Sequence, residues 1–173
     1  MANEAQGIPH TTGDLIYDAF FAAGIGGSVV AVFFLVVDTW NGQPLFTPSL
    51  LGSVLFDGAA AQSVADVRLD MVAYYSLVHF VSFGALGALL AFLVHEVELH
   101  ARHPALVMLL LFLIIEGTFA LGASLFLPGV VERLGALPVA AANLLTAGAI
   151  ALFLLSSHRP ETWQRLKHAV HLP

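Results

Sequence analysis

Four long apolar runs separated by polar stretches organise this chain: Ala19 to Val37, Met71 to Val94, Ala105 to about Leu127, and about Leu137 to Ser157. Each reaches the roughly 20 residues needed to cross a hydrocarbon core. A segment in lipid must satisfy its own backbone hydrogen bonds, so all four are predicted as helices. Asp38, Pro104, Pro128 and Pro160 stand where such helices should start or stop. The pattern predicts an all-α integral membrane protein, an up-and-down bundle of four transmembrane helices over residues 19–157. A polar N-terminal segment (1–18) and an amphipathic tail (158–173) flank the bundle.

The connections refine this outline. Residues 38 to 70, "DTWNGQPLFTPSLLGSVLFDGAAAQSVADVRLD", are too long for a simple turn and should hold structure of their own. Thr47 suits an N-cap and Pro48 a first helical position, so "PSLLGSVLF" is predicted as a short interfacial helix. The loops "HEVELHARHP" and "PGVVERLGALP" are short, which makes consecutive helices antiparallel neighbours. Gly24, Gly27 and Ser28, Gly84, Gly87 and Ala88, and Gly117, Ala120, Gly122 and Ser124 are small enough to let helices approach closely.

Composition strengthens the membrane reading. Of 173 residues 58% are hydrophobic and 10% charged, against about 45–50% and about 25% in ordinary soluble domains. The formal charge of −6 and only six scattered Lys and Arg exclude a nucleic-acid footprint, which needs clustered basic residues. Cysteine is absent, which excludes disulfides, thiolate catalysis and cysteine-held clusters. The first run has acidic rather than basic flanks, so it is expected to be a retained anchor rather than a cleaved signal. Arg102, Arg159, Arg165 and Lys167 fall on one side of a four-span topology, with Arg68 and Arg133 on the other. The excess places both termini in the cytoplasm and the protein in the cell inner (plasma) membrane.

The candidate chemistry lies in the few polar residues within the spans. Glu116 interrupts "LLLFLIIEGTFALGASLFL", His79 interrupts the second run and Asn143 the fourth. Counted from the same end, they lie about 11, 8 and 6 residues deep, so all three could meet in one half of the bundle at about 1.5 Å per residue. Tyr75 and Ser82, at i−4 and i+3 of His79, extend its polar stripe. A charge facing lipid costs at least about 2.5–3.5 kcal/mol at mid-span, so Glu116 should face protein. Two roles fit the set of His79, Glu116, Asn143, Tyr75 and Ser82: a site that binds or relays something, or a polar contact that fixes helix register. A haem held by two imidazoles would need a second chain to supply the other ligand, because no other span carries a mid-span histidine.

A second constellation, "HEVELHARH", ends the second run. His95 and His100 are five residues apart, about 140° around a helix at about 100° per residue, so the metalloprotease spacing of i and i+4 is not met. Glu96, His100 and His103 share a face and, with His95, form a candidate superficial metal site. Phosphate-loop, nucleophile-elbow and inverted-repeat signatures are missing.

The run "GIGGSVVAVFFLVVDTWNGQPLFTPSLLGSVLF", residues 24 to 56, resembles a segment of small four-span bacterial membrane proteins and implies no activity. The expected function is a non-catalytic accessory subunit of a larger, energy-transducing membrane complex, partnered by lipid and by other subunits or further copies of the chain. The alternative is a small transporter, channel or haem- or metal-binding protein that uses Glu116 and His79.

Overall fold

The computed structural model describes residues 12 to 98 and 104 to 158, and it is helical throughout, with no strand among the described residues. The elements are α1 (Thr12–Trp40), α2 (Phe46–Asp57), a 3-10 turn (Ala61–Ser63), α3 (Leu69–Glu98), α4 (Pro104–Phe126), α5 (Val130–Leu134) and α6 (Ala136–His158). Four of them, α1, α3, α4 and α6, are long and apolar enough to cross a membrane. Helix α1 begins ahead of Ala19 and takes in Asp18. Asp18 is buried.

The long helices do not form a closed ring. Helix α1 packs along α3 on one flank and α6 on the other, and α6 packs in turn along α4. Each adjacent pair is antiparallel. Gly87 faces Ala19 and Ala23 while His79 reaches Gly27. Phe21 stacks on Phe153, while Phe34 packs in one cluster with Val139. Helices α3 and α4 follow one another in the chain yet touch at only a few places, contrary to the expectation that consecutive helices are direct neighbours. Their separation leaves a cleft.

Close approach depends on particular glycines rather than on every small residue. A Cβ added at Gly87 would sit 2.6 Å from the Ala19 carbonyl oxygen and 2.7 Å from Ala23 Cβ. Gly26 and Gly27 make room for the rings of Phe83 and Phe80. Gly24, Gly84, Gly117 and Gly122 have nothing within 4 Å of an added Cβ, so the packing role expected for them is not met.

One end of the assembly is capped. Thr47, Ser49, Leu50, Leu51, Gly52, Ser53 and Val54 of α2 are all buried, and Leu50, Leu51 and Val54 share a core with Ala61 of the 3-10 turn and Val130 of α5. Gly52 lies directly against the Met71 backbone of α3. The short helix is thus folded into the protein on one face. It starts at Phe46, one residue before the expected cap, and its amides are satisfied from outside: Thr47 N–H and Oγ1–H donate to the two oxygens of buried Asp38, each at 2.7 Å. A carboxylate at the end of α1 therefore takes the capping role expected of Thr47.

Ser49 Oγ accepts from Arg68 N–H at 2.8 Å, which ties the approach to α3 onto α2. The exposed Arg68 side chain bridges Asp57 and Asp70, and these partners, Asp70 first, raise its guanidinium pKa further. Helix α5 occupies a stretch expected to be plain loop. Gly129 and Gly135 bound it with positive φ of 77° and 85°, and Arg133 stands 5.4 Å from the centre of the Phe46 ring of α2.

Candidate functional site: a side cleft between two helices

The gap between α3 and α4 is a cleft of about 530 Å³, floored by α1 and α6 and closed at one end by Leu45, Pro48 and Leu51 of the cap. Its lining is mostly aliphatic and aromatic, interrupted by Thr47 from α2, Tyr75, Ser76, His79 and Ser82 from α3, Thr118 from α4 and Asn143 from α6. No Asp, Glu, Lys or Arg side chain lines it. The volume lies within the range of about 300–1,000 Å³ usual for small-molecule sites.

His79 is held by neighbours on two helices. Its Nε2 lies 3.0 Å from the carbonyl oxygen of Gly27 in α1, which can only accept, so Nε2 carries the proton and donates. The rings of Phe83 and Phe80 pack at 4.8 and 5.3 Å between centroids, and Tyr75, one turn earlier, at 5.9 Å. The glycines of "GIGGS" give this arrangement its room, since any side chain at Gly26 or Gly27 would press on Phe83 or Phe80. That stretch is a seat for the aromatic face of α3.

Glu116 and His79 do not pair. Glu116 is half-buried at the α4–α6 contact, where Oε2 accepts a 2.7 Å hydrogen bond from Asn143 Nδ2. The depth estimate lets all three residues meet and sets Glu116 nearest His79; instead Glu116 is bonded to Asn143, and the partner of His79 is a backbone carbonyl, which no count of side chains reveals. Asn143 also lines the cleft, while Glu116 does not. The pair joins α4 to α6 and carries a prediction. Asn143→Leu should lower the melting temperature in detergent, because a buried polar group left without its partner costs about 1–3 kcal/mol. Glu116→Gln, which keeps an acceptor for Asn143, should melt close to the unaltered protein. Equal losses in the two variants would refute the pairing as the cause.

Several cleft-lining polar atoms have no hydrogen-bond partner among the described residues. Tyr75 Oη makes no hydrogen bond with the described residues, and only Nε2 of the His79 ring makes one. Among the described residues the one fully buried side-chain polar atom lacking a partner is Thr146 Oγ1, so Tyr75 Oη and His79 Nδ1 are not fully sealed in the core, and both residues line the cleft. Ser82 and Thr118 stand exposed on α3 and α4, and their hydroxyls also make no hydrogen bond with the described residues.

His100 and His103 lie outside the described residues, and for His95 and Glu96 only the helical backbone of α3 is described. Among the described residues no three His, Asp or Glu side chains converge as a metal group. An axial bond to haem iron through His79 Nε2 would displace the Gly27 carbonyl. Asp38, which buries its carboxylate to fix α2, is the structural residue that sequence reasoning passes over, because it reads there as a simple helix terminator. No family model, no curated protein and no solved structure matches this chain.

Proposed function

We propose that this chain is a multi-pass integral membrane protein whose four long helices cross the bilayer as an up-and-down bundle, acting as a non-catalytic accessory subunit of a larger membrane assembly. The observation that carries the membrane placement is the outward face of the long helices. Phe20 is 74% exposed, Leu77 69% and Leu125 64%, apolar surface on a scale that water does not tolerate and acyl chains do. The excess of basic residues beyond α6 and between α3 and α4 supports cytoplasmic termini in an inner membrane. The accessory role is supported by how little of the described chain lies outside the four long helices and the short helices packed on them.

Alkaline carbonate extraction of native membranes tests the placement: the chain should stay in the pellet, and recovery as a single species in detergent-free buffer overturns it. Purification in mild detergent tests the role. A membrane protein should co-elute in fixed ratio with the chain, and elution of the chain alone overturns the accessory reading.

The cleft favours a second reading, in which the protein binds a lipid-soluble component at Tyr75 and His79, with Glu116 confined to joining α4 and α6. His79→Phe and Glu116→Gln separate the two readings. Loss of a ligand-dependent signal in the first variant alone, with assembly intact in both, favours binding.

A further inference from the structure

The cleft differs from an ordinary packing fault in three respects. It is large enough for a drug-sized molecule, its lining includes a hydroxyl and an imidazole nitrogen with no partner among the described residues, and no charged side chain among the described residues lines it. A neighbouring transmembrane helix would be a poor occupant, since its own backbone is already satisfied and cannot serve the two free polar atoms. Water alone is equally unsuited to a lining that is mostly aliphatic and aromatic.

The polar pair specifies the head of the occupant. With Nε2–H committed to Gly27, the neutral His79 ring presents Nδ1 as an acceptor. Tyr75, one helical turn away with its ring 5.9 Å distant, offers a phenolic donor. A hydroxyl both donates and accepts and so satisfies both, whereas a carboxylate or phosphate would enter a site with no cation to offset its desolvation. The apolar remainder, running past Phe119 and Phe126 of α4, suits one hydrocarbon chain. The cap closes one end, and the side between α3 and α4 is the open one, with Ser82 and Thr118 exposed on its two walls.

We infer that the cleft between α3 and α4 binds one single-chain amphiphile with an uncharged, hydroxyl-bearing head, which enters sideways from the bilayer core. The head lies between Tyr75 Oη and His79 Nδ1, and the chain lies against α4. This rests on the membrane placement proposed above and deepens the binding reading of the same cleft.

The test uses the purified full chain in detergent with labelled oleyl alcohol as probe, and with oleate and octadecene as competitors. Oleyl alcohol should bind saturably at one molecule per chain, and both competitors should displace it poorly. Tyr75→Phe removes one hydrogen bond and should weaken oleyl alcohol about threefold to tenfold while leaving octadecene unchanged. Gly122 lines the cleft and has open space around an added Cβ, so Gly122→Leu should fill the site and abolish saturable binding without lowering the melting temperature. Unsaturable partitioning, equal binding by Gly122→Leu, or better competition by oleate than by octadecene overturns the inference. So does a photo-crosslinker at Thr118 that captures another protein's helix instead of the probe. Carbonate extraction reports separately on membrane placement, so failure of the ligand and failure of the placement are distinguishable.

Discussion

Gly87→Val should be among the most damaging single substitutions in this protein. Its first added atom would lie 2.6 Å from the Ala19 carbonyl oxygen and 2.9 Å from the Ala23 amide nitrogen, and neither backbone can rotate away. The helices must separate, and overpacking of this kind costs about 1–3 kcal/mol or more. For a chain of this size that is about 2–4 °C of melting temperature per kcal/mol. The loss should spread to the hydrogen bond from His79 to Gly27, which depends on the same α1–α3 spacing. Gly84→Ala is the control on the same helix: nothing lies within 4 Å of its new methyl group, so it should be neutral or gain the roughly 0.5–1 kcal/mol by which alanine favours a helix interior over glycine. Thermal unfolding in detergent measures both, and a Gly87→Val protein as stable as Gly84→Ala would disprove the close approach.

Asp38→Ala is the second. It strips the acceptor from the Thr47 amide and the Thr47 hydroxyl together, both buried, and each orphaned group costs about 1–3 kcal/mol. Thr47→Val in the same background should recover part of the loss, since it removes the orphaned hydroxyl, and the two changes will not add because they share one contact. Asp38→Asn, which keeps one acceptor oxygen, should fall between. Limited proteolysis at residues 41 to 45 gives an independent measure, because release of α2 exposes that turn. If Asp38→Ala melted within about 0.5 kcal/mol of the parent, the range of an ordinary surface substitution, the cap would not depend on this carboxylate.

The helices were readable because their signal is redundant. Some 20 apolar residues in a row need no partner to declare themselves. Packing order was not readable, because helices apolar on every side carry no phase to say which neighbour each prefers. Hence the separation of α3 from α4, and the cleft it creates, had no counterpart in the pattern. Depth counting puts Glu116, His79 and Asn143 in one half of the bundle and sets Glu116 closer in height to His79, yet the bond Glu116 accepts comes from Asn143. It missed the His79 contact because a mid-helix carbonyl such as Gly27 has no letter of its own. Thr47 misled in an instructive way: the residue sits at the right helix end, but the acceptor comes from nine positions upstream in the chain. Helix α5 is five residues long, too short for any periodicity to register.

The two walls of the cleft are unequally restrained. Helix α3 packs against α1 and, at one end, against α2, whereas α4 leans on α6 along a single flank, pinned near its middle by the Asn143 amide. Of the two walls, α4 is the one anchored to a single neighbour, so its seat on α6 sets how wide the cleft stands. A neighbour pressing from outside would act on the contents of the cleft through that one loosely moored rod.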